Sequence, residues 1–118
     1  MTTPTEITLH QISKNLEIAF DDGARFNLPF EYLRVNSPSA EVRGHGPGQE
    51  ELQTGKINVL LTGVDPVGSY ALKLTYDDGH DSGLYTWDYL YDLGLNQDAK
   101  WDDYLRRLEE AGESRESK

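Results

Sequence analysis

The chain has 118 residues, 36% of them hydrophobic and 27% charged, with a net charge of −10 from 11 basic and 21 acidic residues. That is one domain's length with material for one modest core, and the composition excludes collagen, coiled coil and a long disordered tract. With no cysteine there are no disulfides, thiolate metal sites, iron–sulfur ligands or cysteine nucleophiles.

Ile7 and Leu9 alternate with Thr8 and His10, a short strand pattern. Leu16, Ile18 and Phe20 repeat with period two, Asp21-Asp22-Gly23 follows, and Phe26 and Leu28 alternate again. Asp-Gly between two alternating runs predicts a hairpin, because the turn needs a positive φ that Gly supplies cheaply. Pro29 ends the second strand. Phe30–Val35 fits one helical turn or an extended link. Residues 36–56 carry Pro38, Gly44, Gly46, Pro47, Gly48 and Gly55, and read as a long loop anchored by Val42 and Leu52.

A strand resumes over Ile57–Leu61, and Val64-Asp-Pro-Val-Gly68 reads as a turn. Tyr70 to Tyr76 gives the cleanest alternation, closed by Asp77-Asp78-Gly79. The stretch Leu16–Gly23 and the stretch Leu72–Gly79 echo each other as strand-to-turn segments. Thr86 caps a helix over Trp87–Leu93 that Gly94 stops, and Asp98 caps a second helix striped by Trp101, Tyr104, Leu105 and Leu108. Gly112 to Lys118 offers no apolar anchor and is expected to be a disordered tail. The expected fold is α+β: a small antiparallel sheet of about five strands with two C-terminal helices, in one domain over residues 1–111.

Three carboxylates and an imidazole fall within five residues at Asp77, Asp78, His80 and Asp81. Oxygen donors suit hard cations, and the imidazole extends the choice to zinc, iron or manganese. The spacing is not that of an EF-hand. The same residues serve equally as a turn whose Asp side chains bond nearby backbone N–H groups. His80 with Asp78, Asp81 and His45 is the candidate metal set. Ser82, His80 and Asp81 could be drawn as a nucleophile set, but adjacency is not triad geometry and no Gly-x-Ser-x-Gly elbow exists. The Gly44-His-Gly-Pro-Gly48 run lacks the Lys-Ser/Thr of a phosphate loop. The C-terminal half is rich in Tyr and Trp and, from Tyr76 to Gly94, holds five Asp without a Lys or Arg. Arg34, Tyr85 and Trp87 are candidate interaction residues, and the acidic charge suits a basic partner.

Leu33-Arg34 followed by Ser37-Pro38-Ser39-Ala40, then Pro66-Val67-Gly68-Ser69-Tyr70-Ala71, then Asp78-Gly79-His80-Asp81-Ser82-Gly83-Leu84-Tyr85-Thr86-Trp87 carry a resemblance. Together they are similar to the gamma-butyrobetaine hydroxylase-like N-terminal domain family, in the form of its short stand-alone bacterial members. The similarity covers roughly residues 7–94. In the family's hydroxylases this domain precedes an iron- and 2-oxoglutarate-dependent catalytic domain, which is not expected here. The resemblance implies cysteine ligands of a structural zinc at Ser37, Ser39 and Val42, and a histidine ligand at His80. Only the histidine is present, and a Ser hydroxyl is a poor zinc ligand. The domain also occurs attached to P-loop ATPases that carry iron–sulfur clusters, which implies an accessory role in metal-cofactor or redox metabolism.

The expected function is that of a non-enzymatic accessory or protein-interaction domain with an unidentified, basic protein partner and no cofactor. The alternative is a metal-binding protein holding iron or zinc through His80 and nearby carboxylates. Nucleic acid and membrane are not expected as partners, since the acidic surface repels phosphate backbones and anionic lipid. No apolar run reaches the roughly 18 residues of a membrane span, and Met1 to Ile7 lacks a signal-peptide pattern, which points to the cytoplasm.

Overall fold

In the computed structural model, residues 2–44 and 50–116 are described. Among these residues, six strands and four helices follow in the order β1 (Pro4–His10), β2 (Asn15–Phe20), β3 (Arg25–Pro29), α1 (Phe30–Val35), α2 (Ala40–Arg43), β4 (Leu61–Val67), β5 (Ala71–Tyr76), β6 (Leu84–Thr86), α3 (Trp87–Leu95) and α4 (Gln97–Ala111). The fold is α+β as expected. In place of about five strands in one sheet, it has two three-stranded antiparallel sheets, ordered β1-β2-β3 and β4-β5-β6.

The central strands are β2 and β5, and β5 is the one with the cleanest alternation. Leu16, Ile18 and Phe20 on one, and Leu72, Leu74 and Tyr76 on the other, turn into one shared core with Leu33 of α1 and Leu90 and Leu93 of α3. The sequence echo between them is structural. After β2, Phe20 N bonds Ala24 O (2.8 Å) and Gly23 N bonds Phe20 O (3.0 Å); after β5, Tyr76 N bonds His80 O (3.0 Å) and Gly79 N bonds Tyr76 O (3.1 Å). Gly23 and Gly79 take φ of 91° and 88°, where a side chain would be strained. One turn serves twice, and in the second copy it presents His80.

β4 begins where the expected strand over Ile57–Leu61 ends, and it runs through the expected turn. Pro66 is accommodated because β4 is an edge strand and needs no N–H on its open side. α3 starts at its expected cap, with Thr86 Oγ1 accepting from Tyr89 N at 3.2 Å. It does not stop at Gly94. That glycine lies inside the helix against the Phe26 ring of β3, in the space a Cβ would need.

α4 lays Tyr104 and Leu108 on Val35, with Leu52 and Trp101 around them. It ends at Gly112, in a left-handed conformation with φ 66°. Residues 112–116, expected as a loose tail, are attached to the body. Gly55 N bonds Ser114 O and Ile57 N bonds Arg115 O, each at 3.0 Å, and Arg115 makes two bonds to Glu31, of 2.9 and 2.7 Å. The anchor is an ion pair and backbone bonding, to which a search for apolar residues is blind.

Candidate functional site

The turn after β5 and the segment after α1 meet at His80 and Ser37. Ser37 is fully buried, and its Oγ lies 2.8 Å from His80 Nε2. Ser37 Oγ also accepts from Ser39 N at 3.3 Å. On the other side of the ring, Nδ1 faces a Glu41 carboxylate oxygen at 3.3 Å. The carboxylate favours the Nδ1–H tautomer, so Nε2 accepts the Ser37 O–H. Burial first, then the Arg34 charge, lowers the His80 pKa below its ordinary value of 6.5, against the pull of Glu41 and Asp78. The imidazole is therefore neutral in the fold at physiological pH.

Ser39 extends this clasp. Its Oγ caps α2 by accepting from Glu41 N (3.2 Å) and pairs with Ser82 Oγ at 2.7 Å. Gly83 makes the close approach possible, since a Cβ there would sit 2.5 Å from Ser37 Oγ and 3.2 Å from Pro38 Cδ. The sequence Ser-Gly after His80 is thus what lets the 82–83 segment press on the 37–39 segment.

Serine, histidine and a carboxylate in this order have the connectivity of a hydrolytic triad. The burial is inverted, however. The nucleophile position is wholly enclosed, while the Glu41 side chain is 72% exposed. A substrate carbonyl has no approach to Ser37 Oγ, so the arrangement is a clasp between two segments. Ser82 and Asp81, the other members of the set drawn from sequence, face elsewhere: Ser82 to Ser39, and Asp81 to Lys73 at 3.8 Å.

Asp78 is a second hub. It takes Arg34 Nε at 2.9 Å and Lys56 Nζ at 2.8 Å on one oxygen, and His80 N at 3.1 Å on the other. Burial pushes its pKa up, but the Lys56, His80 N–H and Arg34 bonds outweigh this and bring it from 3.8 to about 2. The buried Arg34 guanidinium also bonds Gln53 Oε1 at 2.9 Å and lies 6.0 Å from the centre of the Tyr76 ring. Arg34 thereby ties α1, the 50s loop and the β5 turn together.

The tyrosines complete the network. Tyr85 donates to Leu33 O at 2.6 Å, and Tyr76 and Tyr85 hydroxyls pair at 2.8 Å. Tyr89 donates to Asn36 O at 2.6 Å. Carbonyls at the end of a short helix lack helical partners, and these hydroxyls supply them. Trp87 is buried as well, with Nε1 donating to Ser69 O at 2.7 Å. Arg34, Tyr85 and Trp87, named from sequence as interaction residues, are all inside the fold and bonded to it.

The metal candidates do not converge. Among the described residues no three His, Cys, Asp or Glu side chains gather where an ion could sit. Asp78 is already bonded to two cations, Asp81 lies beside Lys73, and His45 lies outside the described residues. The positions where the resemblance implies zinc thiolates hold Ser37 and Ser39, engaged with His80 and Ser82, and the buried apolar Val42. These donors do not fit a tetrahedral zinc. Sequence reasoning missed Glu41 and Gln53 as partners of His80 and Arg34. Their spacing carries no signal, because the contacts depend on how the 36–56 segment folds over the sheets.

No helix among the described residues is long and apolar enough to cross a membrane. The curated proteins hold no match to this chain. Solved structures do. One protein solved in solution by NMR is 54% identical, with a TM-score of 0.86 over 100% of this chain and 93% of its own. A second, also from NMR, is 51% identical, with a TM-score of 0.85 over 99% of this chain and 87% of its own. A crystal structure of a protein of unknown function from Acidithiobacillus ferrooxidans, in the DUF971 family, is 39% identical. It has a TM-score of 0.66 over 78% of this chain and 92% of its own. Residues 7–91 match the family described as gamma-butyrobetaine hydroxylase-like, N-terminal, and the chain belongs to that family.

Proposed function

We propose that this protein is an accessory domain that binds a basic protein partner and performs no catalysis of its own. The observation that carries this reading is an apolar cleft between the open edges of the two sheets. Gln11 Nε2 donates to Leu61 O at 3.0 Å, tying the end of β1 to the start of β4. Beside this tie lies a cleft of about 380 Å³ whose walls are mostly apolar, with Ile7, Leu9, Leu16, Val64, Pro66 and Leu72 beside Thr62 and Gly63. Cleft walls of this kind bury an apolar side chain of a partner.

The partner's chemistry follows from charge. The chain carries −10, and Asp65 on β4 makes no ion pair among the described residues. A segment with apolar residues flanked by Lys or Arg is complementary to it. Strand addition is the less suitable mode, because β1 has a register shift at Pro4/Glu6, and β4 has one at Leu61/Gly63 besides Pro66. The partner therefore inserts side chains. The setting in metal-cofactor or redox metabolism is the one that the family resemblance suggests. Metal binding through His80 has weaker support, since both ring nitrogens already have protein partners.

The test compares immobilised wild type with an Ile7→Lys, Val64→Lys double variant in extract of the source cell. The expected result is a protein held by the wild type at low salt, released at high salt and absent from the folded variant. Equal capture by both would overturn the reading.

A further inference from the structure

One sheltered recess on α1 is filled by the protein's own chain. Glu31 stands in the first turn of α1, where its side chain is only 8% exposed. A buried carboxylate is costly without a cation. Its cation is Arg115, which is 84 residues away in sequence and bonds both carboxylate oxygens, through Nε at 2.9 Å and Nη2 at 2.7 Å. The same guanidinium lies 5.1 Å from the centre of the Trp101 ring. Beside it is a cavity of about 240 Å³ whose walls include Pro29, Tyr32, Gln97 and Asp98.

A forked ion pair to a sheltered carboxylate, with an aromatic ring against the cation, is how proteins recognise an arginine side chain. The geometry points to a recognition site for an arginine of a partner protein, formed by Glu31 and Trp101 and occupied in cis by Arg115. Three features support displacement over a purely structural pair. Arg115 sits on a segment outside any helix or strand, only three residues past the helix terminator Gly112. Past the helix-terminating bond of Glu113 N to Leu108 O, the segment is tied to the 50s loop by Gly55 N to Ser114 O and Ile57 N to Arg115 O, and the residues flanking Arg115, Ser114 and Glu116, are exposed. The Arg115 side chain itself is 37% exposed, whereas the carboxylate it covers is not. The site is thus permanent and its occupant is exchangeable.

This inference names a second contact for the basic partner proposed above, and it shares no residue with the β1–β4 cleft. It rests on that reading only for the partner's charge. A peptide test therefore fails or succeeds independently of the extract experiment.

The probe is a blocked peptide Glu-Ser-Arg-Glu-Ser, the sequence of residues 113–117, added to the full-length Arg115→Ala variant. Binding is followed through the Trp101 indole N–H resonance. Saturable binding is expected. Replacing the peptide's Arg by Lys should weaken it about tenfold or more, since an ammonium cannot match the fork. Adding Glu31→Gln to the variant should remove the response. Wild type should bind about a hundredfold more weakly than the variant, because the tethered Arg115 competes at a high effective concentration. Where Arg115→Ala fails to fold, Arg115→Lys keeps a cation beside Glu31, and the arginine peptide should displace it. The proposal is overturned if Trp101 does not respond, if the Lys and Arg peptides bind alike, or if Glu31→Gln leaves binding intact.

Discussion

At the scale of single residues, the chemistry of His80 is decided by what surrounds it. A neutral imidazole bridges Ser37 and Glu41, and the burial that keeps it neutral makes folded protein a weaker proton acceptor than unfolded chain. The His80 contribution is therefore present above pH 6.5 and is lost as pH falls below that value toward the depressed folded pKa. Thermal melts from pH 8 to pH 5 should show stability declining through this window, and His80→Ala should flatten the decline. At pH 8 the same variant leaves the buried Ser37 hydroxyl without its acceptor. The cost should be about 1–2 kcal/mol, with amide resonances of residues 37–43 broadened. An unchanged melting point with an ordered 37–43 segment would show that the clasp holds nothing. Asp78 acts in a lower window: its contribution is present above pH 3.8 and disappears as pH falls through about 2. The serines at the thiolate positions yield a further expectation. Elemental analysis of untagged protein should find no stoichiometric zinc, and a chelator should leave the melting point where it was. One zinc per chain, with unfolding on chelation, would contradict the hydrogen-bonded assignment of Ser37 and Ser39.

At the scale of elements, the parts legible in the sequence were those whose cause is local. Period-two alternation placed β2, β3 and β5, Asp-Asp-Gly placed the two like turns, and Thr86 placed the start of α3. The misplaced parts have causes outside their own segment. Gly94 reads as a helix stop on propensity, yet it serves contact, because α3 crosses β3 so closely that Phe26 fills the space a Cβ would occupy. β6 spans only Leu84–Thr86 and exists through its pairing with β5, which no three-residue pattern announces. α2 is four residues long and owes its start to the Ser39 cap. Of the candidate site, His80 was legible as a residue and as a turn position, whereas its partners were not, because Ser37 and Glu41 arrive from a segment some forty residues earlier. Gly94→Ala separates the two roles of that glycine. Helix propensity alone would make the variant about 1 kcal/mol more stable. The contact with Phe26 should reverse the sign, costing about 1–3 kcal/mol by forcing the ring or the helix to move. Chemical denaturation decides it, and relief of the loss by Phe26→Leu would locate the strain. A stabilised Gly94→Ala would mean that the helix shifts freely on β3.

At the scale of the whole molecule, the C-terminal segment closes the structure. α4 rests on the end of α1 through Val35, Tyr104 and Leu108, a small cluster compared with the core that joins the two sheets. Burial of the Tyr104 hydroxyl, which donates to Gln53 O at 2.7 Å, raises its pKa to about 12 and adds one bond from α4 to the 50s loop. The segment after Gly112 then reaches back to both partners of α4, to the 50s loop through Gly55 and Ile57, and to α1 through Glu31. Removing residues 112–118 leaves the Glu31 carboxylate sheltered and without its cation, and leaves Gly55 and Ile57 without those two acceptors. Because the Arg115 side chain is more than a third exposed, water compensates for part of the loss, and about 1–2 kcal/mol is expected to remain. For a domain of this size that lowers the melting midpoint by roughly 4–10 °C. Glu31→Gln in the truncated chain should recover part of the drop, since an amide is far cheaper to shelter than an unpaired carboxylate. The full-length Glu31→Gln variant should lose stability instead, as it removes the charge that Arg115 pairs with. Opposite signs for the same substitution, with and without the segment, are the signature of the pair. A truncated chain that melts with the wild type would mean that residues 112–116 cover the surface without holding it.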